Sequence, residues 1–242
     1  MDRLIYLAMA GAKATMQRQD VLANNLANAS TNGFRAELQA FRAVPVLGSG
    51  ASTRVYALES TVGYDDRAGP LQTTGRALDV APQGRAWLAV QALDGTEAYT
   101  RAGSLQVNAE GQLVTPGGLP VLGDGGPIAV PANATLEVAS DGTISATTNG
   151  GRPTPVGRLK LVTPEAPLAR GEDGLFRAGG DGGDLPADAT ARLQSGALEG
   201  SNVSAVETMV AMIAAARQFE QQMKVLQGAE QREQGAAKLL GA

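Results

Sequence analysis

The side chains able to do chemistry in this chain are its carboxylates, lysines and tyrosines, because the sequence contains no His and no Cys. Without Cys there is no disulfide, no thiolate metal site and no thiol nucleophile. Without His the commonest general base and the commonest zinc ligand are missing, and a Ser-His-Asp relay cannot be built. What remains is a carboxylate-only mechanism, of the kind that cleaves glycosidic bonds with two acids facing one cleft about 5–10 Å apart. The adjacent pairs Asp65-Asp66 and Glu172-Asp173 do not supply it, since neighbouring side chains point to opposite faces of an extended chain. Turn or surface roles suit them better. Trp87 is the lone tryptophan. It reads as a core anchor, because a ligand-stacking platform would need an aromatic cluster and only Tyr99 is nearby. The run Gly179-Gly180-Asp181-Gly182-Gly183-Asp184 matches one unit of the calcium-binding β-roll repeat, but a roll needs several stacked units. A single copy reads as a solvated loop. No phosphate-cradling glycine run occurs. No catalytic, cofactor-binding or metal-ligating residues are therefore expected. A glycan-cleaving or glycan-binding β module is kept as the rival class, with no carboxylate spacing that selects its acids.

The totals point the same way. Of 242 residues 43% are apolar but only 4% are aromatic, so the core must be aliphatic and alanine-rich. A net charge of −4 and a pI of about 5.0 suggest no electrostatic grip on nucleic acid or on an acidic membrane surface. The longest apolar runs, such as residues 7–12, fall far short of the roughly 20 needed to span a bilayer. Met1-Asp2-Arg3-Leu4 lacks the basic start and apolar stretch of a cleaved secretory signal, so an uncleaved N-terminus is expected.

The elements that would position any site follow from proline. All 12 prolines lie between Pro45 and Pro186. An interior proline costs a helix about 3 kcal/mol, so helical ends around a non-helical middle are expected. Residues 3–28 read as a helix ended by Asn28-Ala29-Ser30-Thr31-Asn32-Gly33. Residues 34–44 could continue as helix or as extended chain. Residues 45 to about 75 read as an extended connector with short strands around 54–58. Residues 77–198 read as an all-β domain of short strands and tight turns, with hairpins at Asp94-Gly95, at Asn108-Ala109-Glu110-Gly111 and at Asp141-Gly142. Ser204-Ala205-Val206-Glu207 is a capping box that opens the last helix. The fold class is α+β. Terminal helices form a coiled-coil-like pair around an inserted β domain, with segments 1–44, 45–76, 77–198 and 199–242.

The terminal helices carry heptad stripes. Ala205, Met209, Met212, Ala216, Phe219, Met223 and Leu226 step alternately by four and three, as do Ile5, Met9, Ala12, Met16, Gln19, Ala23 and Leu26. Leu22 adds to the first stripe, and Val206, Val210 and Ile213 widen the second. Past Leu226 the stripe meets Glu230 and Glu233, where packing should weaken. Asn24, Asn25 and Asn28 on the first helix, and Gln218, Gln221 and Gln222 on the second, can be buried without the cost of a charge. The stripes could close an intramolecular hairpin or serve an assembly.

Leu22-Ala23-Asn24-Asn25-Leu26-Ala27-Asn28 with Ser30-Thr31-Asn32-Gly33-Phe34-Arg35 resembles the N-terminal signature of bacterial flagellar rod and hook proteins. Leu198-Glu199-Gly200-Ser201-Asn202-Val203, running into Glu207-Thr208-Met209-Val210-Ala211-Met212-Ile213, resembles their C-terminal signature. Leu78-Asp79-Val80-Ala81, Tyr99-Thr100-Arg101-Ala102-Gly103-Ser104 and Gly111-Gln112-Leu113-Val114-Thr115 resemble their central β domain, although Ala86-Trp87-Leu88 replaces a common Gly-Phe-Phe. Length and Phe41-Arg42-Ala43-Val44-Pro45-Val46 favour the proximal-rod type over the distal-rod or hook type. The resemblance implies a non-enzymatic axial subunit, without cofactor, that leaves the cytoplasm through the flagellar export apparatus with no signal cleaved. It would polymerise with copies of itself and other rod proteins, without inserting in a membrane. Its assembly surface would comprise Ile5, Met9, Ala12, Met16, Leu22, Leu26, Asn24, Asn25, Asn28, Met209, Met212, Ile213, Ala216, Phe219, Met223 and Leu226. The β domain would sit outside the helices in the periplasmic rod, and torque would pass through packed helix contacts.

Overall fold

A computed structural model describes residues 2–45, 55–60, 63–148, 151–179 and 183–240. The chain forms two compact units. One comprises Met1–Ala29, Ala36–Tyr64 and Val203–Ala242, and the other Ser30–Arg35 and Asp65–Asn202. The fold is α+β, with a helix at each end of the sequence and antiparallel strands between.

The first unit is helical. Helix α1 spans Asp2–Ala27 and helix α2 spans Ala205–Leu240. At the start of α2, Ser204 Oγ accepts the Glu207 amide at 3.4 Å, and Ser204 O accepts Thr208 N at 2.9 Å. Burial on α2 runs from Ala205 to Ala229 and stops there among the described side chains. Gly11 on α1 lies against the amide of Gln222. An antiparallel register through that point sets Asn25 beside Thr208, both buried, and accounts for where burial ends. A parallel register would leave Thr208 beyond the reach of α1. The unit is completed by a two-stranded antiparallel ladder, Ala40–Pro45 with Val55–Ser60, in which Ala40 faces Ser60 and Pro45 faces Val55. Residues 34–44, for which helix and extended chain were both open, thus end in a strand. Arg54, at the edge of the expected strand 54–58, lies outside the described residues.

The second unit is the β unit. A five-stranded antiparallel sheet runs in the order Leu161–Val162, Trp87–Gln91, Glu97–Thr100, Phe176–Arg177, Ala169–Arg170. A three-stranded sheet joins Ala134–Val138, Thr143–Thr148 and Thr154–Arg158. The expected hairpins are present; the turn at Asn108 is closed by the Gln112 N–H donating to Asn108 Oδ1, while those at Asp94 and Asp141 share one chemistry with a further turn at Asp188. Asp94, Asp141 and Asp188 each accept both the backbone N–H and the hydroxyl of the Thr two residues on. This side-chain turn closes the backbone locally. Two short ladders close the unit, Leu71–Thr73 with Ala197–Glu199 and Val80–Pro82 with Leu193–Ser195. The tail of the stretch expected to be a connector therefore contributes a strand to this unit. The core is aliphatic, built on Val80, Leu88, Val90, Leu105, Leu113, Val121, Ile144, Leu159, Leu161 and Leu193. Trp87 is itself buried and packs against Phe176 with ring centroids 4.7 Å apart.

Candidate assembly surface

The two helices meet along a seam offset from the heptads of large apolar residues. The buried positions on α1 are Ala8, Ala12, Thr15 and Asn25, and on α2 Thr208, Ala215 and Ala229. Ile5, Gln19, Leu22 and Leu26 flank them half-buried on α1, and Met212, Ala216, Phe219, Gln222 and Leu226 do so on α2. The step is still three and four, but the phase follows small residues, because small side chains let helices approach closely. Gly11 shows the consequence: a Cβ there would lie 3.1 Å from the Gln222 amide. The threonines fit the seam because each hydroxyl is satisfied within its own helix. Thr15 donates to Gly11 O and Thr208 to Ser204 O, both at 2.8 Å.

Met9 and Met16 on α1 and Met209, Ile213 and Met223 on α2, read as members of the helix-pairing stripes, are exposed instead. This corrects the phase of the seam. Scoring by hydrophobicity ranks Met above Ala, whereas packing distance selects Ala. Tyr6, Val206, Val210 and Val225 are exposed with them, Val206 at 69% and Met16 at 58%. On α2, Val206, Met209, Val210 and Ile213 stand at i, i+3, i+4 and i+7 and form one continuous stripe. At 100° per residue that stripe is turned well over 90° from the seam. A helix with two apolar faces is ordinarily covered on both.

The asparagines divide. Asn25 is buried and clamps the backbone of Glu37, donating to its carbonyl at 2.9 Å and accepting its N–H at 2.8 Å. Asn28 donates to the carbonyl and side chain of the exposed Asn24, at 3.0 and 2.9 Å. Asn25 is thus occupied within its own unit.

The β unit contains a cluster that single-segment reading did not find. Arg35, Arg101 and Glu199 are almost wholly buried. Glu199 Oε1 lies 2.7 Å from Arg35 Nη1, and Oε2 accepts Arg101 Nε at 2.7 Å. Arg101 also donates to the carbonyls of Pro82, Gly84 and Ala86. Burial lowers the Arg101 pKa, and the Glu199 carboxylate opposes that shift. The three residues are 66 and 98 positions apart in sequence, so only the charge pattern of the three signature blocks taken together could have signalled them.

The other candidate sites resolve into local structure. Asp65 is held by Arg67 and Asp66 lies 3.7 Å from Arg85, while Asp173 pairs with Arg177 at 2.7 Å. The Tyr99 hydroxyl donates to Glu97 and accepts the Leu185 N–H, and burial raises its pKa. Half of the 179–184 run, residues 180–182, lies outside the described residues. Among those described, no group of His, Cys, Asp or Glu is placed to hold a metal ion, and no helix is long and apolar enough to cross a membrane.

The chain thus has small-residue helices with exposed apolar faces at its two sequence ends and β structure between them in sequence. Residues 5–35 match the family described as Flagella basal body rod protein, residues 81–146 the Flagellar hook protein FlgE/F/G D1 domain, and residues 194–239 the Flagellar basal body rod FlgEFG protein C-terminal. The chain is 51% identical to the flagellar basal-body rod protein FlgF of Salmonella typhimurium strain LT2 and 52% to that of Escherichia coli strain K12, covering 99% of both chains in each case. It is 31% identical to the flagellar basal-body rod protein FlgG of Bacillus subtilis strain 168, over 93% of this chain and 94% of that one. The chain belongs to the flagellar basal-body rod protein family. Arg35, Arg101 and Glu199 fall one in each of the three matched segments.

Proposed function

We propose that this protein is a structural, non-enzymatic subunit of the proximal rod, polymerising through its terminal helices into the axial shaft that carries motor torque. It leaves the cytoplasm through the flagellar export apparatus, keeps its N-terminus, and assembles with copies of itself and other rod proteins in the periplasm. Residues 1–44 and 199–242 supply the axial helices, and residues 77–198 form the β domain outside them. The Met9, Met16, Met209, Ile213 and Met223 stripes meet neighbouring subunits. Ile5, Ala12, Leu22, Leu26, Asn24, Asn25, Asn28, Met212, Ala216, Phe219 and Leu226 hold the helices in shape for that contact.

The observation that carries this reading is the second apolar face of α2. Val206, Met209, Val210 and Ile213 remain exposed after α1 has taken the opposite side. Ile213→Asp puts a charge on that face without touching the seam. Imaging of basal bodies from cells carrying it should show rods that fail to complete, and normal rods with normal motility would overturn the proposal. Imaging of wild-type basal bodies with this subunit labelled tests the proximal placement.

A further inference from the structure

The chain crosses between the helical unit and the β unit four times, at Ala29/Ser30, Arg35/Ala36, Tyr64/Asp65 and Asn202/Val203. The β unit therefore has four chain ends. Ends of this kind commonly fray, because they lack the apolar contacts that hold strands. Here they do not lie loose. The excursion Ser30–Arg35 is tied by Gly33 N to Glu199 O at 2.7 Å and by the Arg35–Glu199 ion pair. Its Phe34 ring lies under the Arg170 guanidinium at 4.4 Å. The third end is tied by Gly69 N to Glu199 Oε1 at 2.9 Å and by Arg35 Nη1 to Arg67 O. The fourth end supplies the ties. Asn202 donates through Nδ2 to Asp65 O and Arg67 O, at 2.8 and 2.9 Å, and through its backbone to Phe34 O at 3.3 Å.

We propose that Glu199 and Asn202 form a two-residue clasp that gathers all four chain ends of the β unit into one root, which opens separately from the aliphatic core. Three observations support this. Glu199 and Asn202 between them reach every other end. The root residues 33–35, 65–69 and 199–202 contribute nothing to the aliphatic core cluster, so root and core rest on different interactions. The root is also built too tightly to accept side chains at its contact points. A Cβ on Gly33, whose φ is +71°, would lie 2.3 Å from the Arg101 carbonyl carbon, and one on Gly69 would lie 2.0 Å from Gly200 O. Such approaches are open only to glycine. The clasp makes the β unit's attachment a single tied point rather than four separate linkers. It rests on the geometry of the β unit alone and holds whether or not the chain builds a rod.

Amide hydrogen exchange on the full chain tests the clasp. In Asn202→Ala, exchange at Gly33, Gly69 and position 202 should accelerate by about tenfold or more, while the core amides of Ala89, Leu113 and Val121 stay within about twofold of wild type. Root and core amides accelerating together would overturn the proposal, because the clasp would then be part of the global fold. No change at the root amides would overturn it too. Asn202→Ala is the deciding variant because it leaves every charge in place, including the Glu199 carboxylate that the two buried arginines need.

Discussion

The β unit and the helical unit satisfy their interactions in opposite ways. In the β unit, large side chains such as Leu88, Leu105 and Leu113 disappear into one core, Trp87 is buried against Phe176, and even the buried arginines find a carboxylate and carbonyls. In the helical unit the seam is alanine and threonine, while Met, Val and Ile stand in solvent. Apolar burial stabilises by roughly 25 cal/mol per Å², so an alanine seam gains little from its own pairing. Met9, Met16, Val206, Met209, Val210, Ile213 and Met223 are exposed, while Ile5, Leu22, Leu26, Met212, Phe219 and Leu226 are half-buried beside the seam. The β unit is finished by one chain, whereas the helices keep apolar side chains in solvent.

The largest break in that contrast should come from Glu199→Ala. It leaves Arg35 and Arg101 buried without their carboxylate, and removing one partner of a buried ion pair costs about 3–5 kcal/mol. The lone Trp87 sits in the β unit, so its fluorescence during denaturant unfolding reads this loss separately from far-ultraviolet ellipticity, which follows mainly the helices. A large fall in the fluorescence midpoint is expected. Leu113→Ala comes next. Leu113 is fully buried, and such truncations cost about 2–5 kcal/mol depending on how far the cavity collapses. An unchanged fluorescence midpoint in either variant would mean that the β unit is not finished by its own chain.

Much of this was legible in advance, and the failures have physical reasons. Proline placement located both helices, and Asp-Gly turns located the hairpins at 94–95 and 141–142. The seam was found with the right period, and Ala12 with the half-buried Ile5, Leu26, Met212, Ala216, Phe219 and Leu226 lies on or beside it, while Met9, Met16, Met209 and Met223 do not. Periodicity shows that a helix has an apolar side, but Met9 and Ala12 count alike in a heptad, and only interhelical distance separates them. Two-faced helices defeat a one-stripe reading for the same reason. Asn25 was expected to be buried without the cost of a charge, and it is. Its actual partner, the Glu37 backbone, required knowing that residues 36–39 fold back along α1. The Arg35–Arg101–Glu199 cluster joins segments that no local pattern connects.

The alanine seam can be tested from its own side. Ala215 is buried on α2. Ala215→Leu inserts a side chain where the helices are too close to admit it, and overpacking of this kind costs about 1–3 kcal/mol. Helical ellipticity should melt earlier while Trp87 fluorescence holds its midpoint. If the variant instead stabilises the helices, the seam is a loosely packed surface and the contrast with the β core is one of residue size only. Met209→Ser, on the exposed face, should leave both signals within about 0.5 kcal/mol of wild type.

The smallest expected effect concerns how the β unit closes its turns. Asp188 accepts from the hydroxyls of Thr163 and Thr190 and from the Thr190 N–H. These donors hold its carboxyl down to about 2, the Thr163 bond first among them, against an ordinary value of 3.8. Because the folded value is depressed, the contribution of this turn is complete above the ordinary value and is lost as pH falls from there through about 2. Asp94 and Asp141 are lowered for the same reason, by the Thr two residues on. Asp94 is exposed and Asp141 and Asp188 are only half-buried, so each effect is small and screened. Following the Asp188 carboxyl carbon by NMR should give a midpoint near 2, and Thr163→Val should move it upward. A wild-type midpoint at the ordinary value would show that the turn is held by its backbone alone. The three Asp-x-Thr turns would then be sequence coincidences, not part of what lets the β unit stand complete in one chain.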